Sequence, residues 1–256
     1  MTRRVWIVAA AVLVAAVLVA VVSVLGRGAA RTTDATPPAS TSSPTPSPTL
    51  TPTVTSTPTL RPTPTPTSTL LPVRRDDAGT ARVLITGDSL AAGFFATTQA
   101  QGFSALVADA LGPVEVTTVS RAHQTLTTVA GITEVPADLD LAVIELGTND
   151  VGIPTPREDF DAQYHDLLAR VRSTSPDAAL VCLGTWTGDG AAYDEIIARL
   201  CADSGGRYIP LAGLFATADF HGPDGRDTFV GPGDDFHPND AGHRAIADAV
   251  LAVLAR

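Results

Sequence analysis

The chain has 256 residues and a formal net charge of −10, and all 17 of its basic residues are Arg. From residue 81 onward, 10 Arg face 24 acidic residues, which leaves a formal charge of −14. A surface this acidic repels polyanions, so it excludes nucleic acid as a partner and favours neutral substrates. These last residues, about 175 of them, are enough for one compact domain with its own core.

The N-terminus begins with an export-type segment. After Arg3 and Arg4, residues 5–25 form a run of 21 residues without a charge, and a helix of that length spans roughly the 30 Å hydrocarbon core of a bilayer. Cleavable signals usually have shorter apolar regions of about 7–15 residues, so we expect residues 1–27 to be an uncleaved membrane anchor. Cleavage is the alternative, because Gly28 and Ala30 are small residues suited to a signal peptidase.

Residues 28–78 read as a linker. Residues 32–72 are almost entirely Thr, Pro and Ser, and without apolar periodicity they cannot offset their ordering entropy, while the prolines favour an extended chain. After an export segment, this composition predicts an O-glycosylated stalk outside the cell, with a plain cytoplasmic linker as the alternative. The catalytic part is then extracytoplasmic on a single-pass protein, or secreted if the N-terminal segment is cleaved.

From residue 79 to 256, short apolar runs alternate with helical patterns. The predicted strands are residues 82–86, 114–119, 141–146, 179–184 and 208–211. Helical spacing of apolar residues predicts helices at 103–111 and 160–171. A last helix should follow His237, with Pro238 near its first turn and an apolar face made of Ile246, Val250, Val253 and Leu254. This alternation predicts an α/β fold, a three-layer α/β/α sandwich around a five-stranded parallel sheet.

Cys182 and Cys201 are the only cysteines. Cys182 lies in the fourth predicted strand, and Cys201 falls on the buried face of the next helix together with Tyr193, Ile197 and Leu200. Outside the cell such a pair can form a disulfide, which closes a short loop and stabilises the fold by roughly 3 kcal/mol. Two buried free thiols are the alternative reading.

Chemically useful side chains follow the predicted strands. The sequence reads Gly-Asp-Ser at 87–89, Gly-Thr-Asn-Asp at 147–150 and Asp-Asp-Phe-His at 234–237. In parallel sheets the working site lies at the carboxyl ends of the strands, where these segments supply a hydroxyl, an imidazole, a carboxylate and an amide. Each segment alone could be a helix cap or a turn, but together they meet the needs of nucleophilic hydrolysis.

In their order, these three motifs resemble those of the SGNH, or GDSL, hydrolase family across nearly all of residues 81–256. The resemblance implies a flavodoxin-like fold and a triad with Ser89 as nucleophile, His237 as general base and later acid, and Asp234 as the partner of the imidazole N–H. It also implies that the Ser89 backbone N–H and the Asn149 side-chain amide stabilise the oxyanion. Asp88 is expected to hold the loop. The common α/β-hydrolase elbow is excluded, because its second glycine is absent and the carboxylate lies only three residues before the histidine.

One segment departs from the family pattern. The family usually has a glycine after the second strand, whose N–H is a third oxyanion donor, but residues 119–125 contain no glycine. We expect the backbone N–H of Ala122 or His123 to donate instead, without the backbone freedom of glycine. Arg121 or His123 is expected to narrow the site, with an ordinary surface-loop role as the equal alternative for both.

The remaining candidates carry weaker signals. Phe94, Phe95 and Trp186 could line an acyl or sugar pocket, but core packing is the safer interpretation for at least one of the two phenylalanines. His165, His221 and His243 are expected to be structural or solvated. No cofactor and no metal are expected, because the two cysteines have no nearby histidine at metal-ligand spacing.

The sequence therefore predicts an extracytoplasmic serine esterase that hydrolyses carboxylic esters, short-chain acyl or O-acetyl, through an acyl-enzyme. Its substrate would be a small-molecule or glycan ester. One alternative is an acyltransferase that passes the acyl group to a cell-wall glycan with the same triad. The other is a non-catalytic wall-associated binding module, in which the altered segment at 120–123 has disabled the oxyanion hole.

Overall fold

The computed structural model describes residues 70–255. The anchor expected at residues 1–27 and nearly all of the predicted linker lie outside these residues. Within 70–255, none of the helices has the length and apolar character that crossing a membrane requires.

The core of the fold is a parallel sheet. The strands are Leu71–Pro72 (β1), Ala81–Gly87 (β2), Val114–Ser120 (β3), Leu141–Glu145 (β4), Ala179–Leu183 (β5), Arg207–Ile209 (β6), Asp227–Thr228 (β7), Gly231–Pro232 (β8) and Leu254–Ala255 (β9). The sheet has the order β3-β2-β4-β5-β6, with all neighbours parallel. All five predicted strands are confirmed, with each end within two residues of the prediction. The chain order reverses between β2 and β4, which opens a crevice at their carboxyl ends.

Helices cover both faces of the sheet. They are Phe103–Leu111 (α1), Leu126–Ile132 (α2), Thr148–Gly152 (α3), Arg157–Thr174 (α4), Ala191–Asp203 (α5), Ala212–Phe215 (α6) and Asp240–Leu251 (α7), with 3-10 turns at Gln99–Gln101 and Ala218–Phe220. Along β2, Val83 and Ile85 pack with α1 and α7, whereas Leu84 packs with α2, α4 and α5. Successive strand residues point to opposite faces, so the apolar residues of the strands contribute to two cores, one on each face of the sheet. The predicted three-layer sandwich is confirmed.

The last helix is shorter than predicted. Its first turn is capped by Asn239, whose side chain accepts the Gly242 N–H at 3.0 Å, and it ends at Leu251. Val253 and Leu254, which were expected on its apolar face, lie beyond that end. Leu254 is still buried, because it belongs to β9 and packs on the core from a strand rather than from a helix.

The folded part also begins earlier than the boundary predicted at residue 79. Leu71 pairs with Leu254 through the parallel β1 and β9 strands, and both Leu71 and Val73 pack against the core. This strand could not be predicted from the sequence, because a few apolar residues beside prolines and threonines form no periodic pattern. The strand depends on a partner at the opposite end of the chain.

A disulfide joins β5 to α5. Cys182 and Cys201 are bonded with their Cα atoms 6.2 Å apart, within the normal range for disulfides. The predicted pairing is therefore confirmed, and the alternative of two buried free thiols is wrong. The bond ties a central strand to the helix that follows it.

Candidate active site

Ser89 lies in a tight turn directly after β2. Hydrogen bonds from the Ala92 N–H to the Asp88 carbonyl at 3.2 Å and from the Phe94 N–H to the Ser89 carbonyl at 2.9 Å close this turn. The serine is only 5% exposed. Its Oγ lies 3.1 Å from Nε2 of His237, a distance at which the hydroxyl proton can pass to the ring.

Asp234 orients the imidazole through a local turn. Its Oδ2 lies 2.8 Å from Nδ1 of His237, while its Oδ1 accepts the backbone N–H groups of His237 at 2.7 Å and Phe236 at 3.1 Å. A carboxylate can only accept here, so Nδ1 carries the proton and Nε2 presents a lone pair to Ser89. The structure thus brings the three predicted triad residues together in the arrangement that serine hydrolysis needs.

A second set of contacts holds the histidine from the other side. Phe95 stacks on the His237 ring with centroids 4.3 Å apart, from a backbone with φ +67° that is uncommon for a bulky residue. The Arg226 guanidinium donates to the carbonyl oxygens of Phe95 at 2.6 Å, Asp234 at 3.2 Å and Pro238 at 3.3 Å. Sequence analysis did not single out Arg226, because binding to carbonyl oxygens leaves no residue signature.

The electrostatic setting keeps His237 in its basic form. Burial lowers the pKa of His237 below its ordinary value of 6.5, although the hydrogen bond and charge of Asp234 oppose this shift, and the positive charge of Arg226 lowers it further. For Asp234, burial would raise the pKa, but the hydrogen bonds from the His237 backbone and ring outweigh burial and lower it. At neutral pH the pair is therefore a carboxylate beside a neutral imidazole.

This setting predicts where activity is lost in acid. Only the neutral imidazole accepts the Ser89 proton, so kcat/KM should fall as pH drops through the pKa of His237, and the midpoint should lie below 6.5. The check is a pH profile of p-nitrophenyl acetate hydrolysis, read at a pH-independent wavelength, with circular dichroism at each pH to exclude unfolding. A midpoint above 6.5 in folded protein would show that burial does not control this histidine.

Asn149 lies in the first turn of α3, across the cleft from His237. Its amide nitrogen donates to Oδ2 of Asp88 at 3.0 Å and to the carbonyl of Gln124 at 3.0 Å. Both amide hydrogens therefore have partners, and the amide would have to share one of them with an oxyanion. Asp88 holds the loop as expected, because its Oδ1 accepts the Leu90 N–H at 3.0 Å.

The segment without a glycine has an unusual backbone of its own. His123 takes φ +61°, the left-handed conformation that a glycine would adopt without strain. Ala122 and His123 line the cleft together with Ser89, and donation to the oxyanion by a backbone N–H of one of them stays a prediction. Arg121 is exposed and bonds the adjacent Ser120 carbonyl at 3.1 Å, so it does not line the cleft.

The cleft has a volume of about 710 Å³ and an aromatic rim. Phe94, Phe95, Ile153 and Phe236 line it, and Phe236 is 40% exposed. Trp186, the third predicted pocket residue, is fully buried and donates its ring N–H to the Phe236 carbonyl at 2.8 Å. The tryptophan therefore lies in the core and does not line the cleft, whereas both phenylalanines, one of which was expected to pack in the core, line it.

Three histidines, His165, His221 and His243, do not line this cleft. His243 is fully buried, with Nδ1 accepting the Phe103 N–H at 3.3 Å and Nε2 donating to the Phe94 carbonyl at 2.9 Å, and burial lowers its pKa to about 4. His221 bonds a backbone carbonyl, and His165 is exposed on α4. These placements agree with the structural or solvated roles expected for them.

The fold of this chain is similar to those of several solved enzymes. No curated protein matches the chain by sequence. An active-site mutant of a family two carbohydrate esterase from Clostridium thermocellum aligns with a TM-score of 0.51 and 18% identity, over 71% of this chain and 63% of its own. The extracellular lipase of Streptomyces rimosus aligns with a TM-score of 0.53 and 16% identity, over 68% and 99%. A salicylyl-acyltransferase from a tetracycline biosynthetic pathway aligns with a TM-score of 0.50 and 18% identity, over 68% and 53%.

The chain thus spans less than two thirds of the carbohydrate esterase, and at these identities the likeness shows a shared fold. The model of the GDSL-like Lipase/Acylhydrolase family matches residues 85–245. Because this match covers more than half of the chain and includes both the Ser89 turn and the loop of His237, the chain belongs to the GDSL-like lipase/acylhydrolase family.

Proposed function

We propose that the protein is an extracytoplasmic esterase that removes short acyl or O-acetyl groups from small-molecule or glycan esters. The observation that carries this proposal is the contact of 3.1 Å between Ser89 Oγ and His237 Nε2, at the floor of an open cleft. Asp234 fixes the tautomer of His237 that makes this contact productive.

The geometry supports an acyl-enzyme mechanism. Ser89 Oγ attacks the ester carbonyl while its proton passes to Nε2 of His237, and the negative oxygen accepts hydrogen bonds from the Ser89 backbone N–H and the Asn149 amide. Each such donor contributes on the order of 3 kcal/mol of transition-state stabilisation. Collapse expels the alcohol, which takes the proton from His237, and a water molecule then repeats the sequence to release the acid.

The cleft favours a short, neutral substrate. Phe94 and Phe95 offer apolar contact to a short acyl group beside the nucleophile, while Thr187 and Asp189 offer polar groups to the alcohol or sugar. The acidic balance of the domain, with Asp189 in the cleft, disfavours anionic esters such as those of phospholipids. Two enzymes with this fold, a carbohydrate esterase and an acyltransferase, support a glycan or another alcohol as the group that carries the ester.

Three features support an extracytoplasmic location. The run at residues 5–25 enters membranes by its length and composition, the Thr/Pro/Ser segment after it resembles a stalk, and the Cys182–Cys201 disulfide is of the kind that persists in oxidising compartments. The membrane is thus proposed as a partner through the N-terminal segment.

An ester panel tests substrate and location together. For the purified full chain, kcat/KM for p-nitrophenyl acetate or butyrate should exceed that for the octanoate by about tenfold or more. Intact cells that express the chain should deacetylate acetylated xylan, a polymer that cannot cross the membrane, as fast as lysed cells do. A preference for octanoate, or activity on xylan only after lysis, would contradict the proposal. Transfer of most acyl groups to an added sugar alcohol rather than to water would identify an acyltransferase.

A further inference from the structure

A buried carboxyl group lies directly beneath the nucleophile turn. Glu145, the last residue of β4, is 0% exposed. Its Oε2 accepts the backbone N–H groups of Asp88 at 3.1 Å and Ala91 at 3.2 Å. These two amides lie on either side of Ser89 in the sequence. The turn that carries Ser89 is therefore hydrogen-bonded at two points to a single carboxyl oxygen.

The glycine that opens the turn makes room for this carboxyl. A Cβ atom at Gly87 would come within 2.6 Å of Oε2 and 2.5 Å of the main-chain oxygen of Glu145, closer than real Cβ contacts come. Gly87 also pairs directly with Glu145 in the sheet register. Position 87 therefore needs glycine, because the Cβ of Ala91, the main-chain oxygen of Glu145 and the Glu145 carboxyl group all lie where a Cβ atom would be.

Asp88 continues the arrangement toward the oxyanion side. It is buried, and its Oδ2 accepts the Asn149 amide at 3.0 Å, while its backbone N–H is held by Glu145. The two carboxyl groups also repel each other when both are charged. A series of hydrogen bonds thus connects Glu145 through Asp88 to Asn149. Neither Asp234 nor His237 takes part in it.

We propose that Glu145 and Asp88 act as a positioning pair that holds one proton, carried by Glu145, and that keeps the Ser89 turn and the Asn149 amide aligned for the oxyanion. This inference rests on the proposed esterase mechanism. Oε1 of Glu145 has no hydrogen-bond partner within residues 70–255, so a negative charge there would lack a donor, and the side-chain interaction between the two carboxyl groups favours the proton on Glu145 rather than on Asp88.

The surroundings support this division of charge. Burial raises the pKa of Asp88 to about 6, and burial together with the charge of Asp88 raises that of Glu145 well above its ordinary value. Two other titratable groups interact with the pair. The charge of Asp150 on α3 raises the pKa of Asp88 further, and Tyr164 on α4 stays neutral because burial and the charge of Glu145 raise its pKa. Ionisation of Glu145 would add a second negative charge beside the place where the oxyanion forms.

Two substitutions at position 145 test whether a neutral side chain with an acceptor oxygen is enough to hold the Ser89 turn. Glu145→Gln keeps an acceptor oxygen for the two turn amides and stays neutral, so kcat at pH 7 should remain within about threefold of the wild type. Glu145→Ala leaves both amides without their acceptor and should lower kcat by about 10- to 100-fold with little change in KM, because oxyanion donors act in the transition state. Glu115→Gln, an exposed site on β3, is the matched control and should behave as wild type.

Two further readouts keep the test independent of folding losses. As pH rises through the pKa of Glu145, the wild-type kcat should fall, and Glu145→Gln should lack this alkaline loss. Infrared spectra at pH 7 should show a protonated carboxyl band in the wild type and in Glu115→Gln that disappears in Glu145→Gln. An ionised Glu145 at pH 7, or a Gln variant as impaired as the Ala variant, would overturn the proposal. An inactive wild type with the infrared band present would instead contradict the esterase function alone.

Discussion

Replacing Ser89 with Ala should lower kcat for p-nitrophenyl acetate by about 10⁶-fold, the scale seen when a triad nucleophile is removed. The Oγ that Ala lacks is the atom 3.1 Å from His237 Nε2, and in the proposed mechanism it forms the covalent bond to the acyl group. The side chain is small and the turn is held by backbone contacts, so the variant should fold. Hydrolysis by the purified full-length variant and loss of labelling by a fluorophosphonate probe measure the effect.

Ser173→Ala is the matched control for this substitution. Its hydroxyl only bonds the Arg170 carbonyl on α4 at 3.0 Å, so activity and labelling should stay at the wild-type level. Melting curves of both variants should overlap that of the wild type. If Ser89→Ala retained a rate within tenfold of the wild type, another group would have to be the nucleophile and the assignment of this site would be wrong.

The second large effect is expected for Asp234→Asn, which should lower kcat by about 10⁴-fold. The amide oxygen of the new residue can keep the two backbone N–H bonds that Oδ1 of Asp234 accepts. Its NH₂ group would then face Nδ1 of His237 in place of Oδ2. A donor at that place forces the ring proton onto Nε2, which can then no longer accept the proton of Ser89.

Asp235→Asn provides the control, because it makes the same chemical change one residue away. Oδ1 of Asp235 accepts the Asp224 N–H at 2.8 Å and has no part in orienting the histidine, so kcat should stay within about threefold of the wild type. The measurement is kcat at neutral pH for both variants, with the structure checked by circular dichroism. Equal losses in the two variants would show that the loop, rather than the carboxylate, is what the reaction requires.

The sheet and the triad could be predicted because their signals are local. The three central strands β2, β4 and β5 are short apolar runs between polar segments, and such a run indicates burial on both faces of a sheet. Ser89, Asn149 and His237 were found because each stands at the end of a strand or before a helix, inside a short motif. The Cys182–Cys201 pairing followed in the same way from one strand and the adjacent helix.

Other features depended on partners far apart in the chain. The β1 strand exists because Leu71 meets Leu254, and Trp186 is part of the core because its ring N–H reaches the Phe236 carbonyl. Neither contact has a local pattern. The helix predicted to include Val253 and Leu254 was too long, since apolar spacing alone does not distinguish the end of a helix from a buried strand that follows it.

The sequence alone predicted the class of fold from its apolar runs, and its resemblance to a known family implied a nucleophile, a base and a carboxylate at Ser89, His237 and Asp234, because both signals depend on residue type and order along the chain. How these residues are held in place became apparent only in the folded structure. Arg226 binds three carbonyl oxygens around His237, and Glu145 binds two amides around Ser89. Backbone groups are the same in every residue, so a side chain that acts by binding them becomes visible only when the chain is folded.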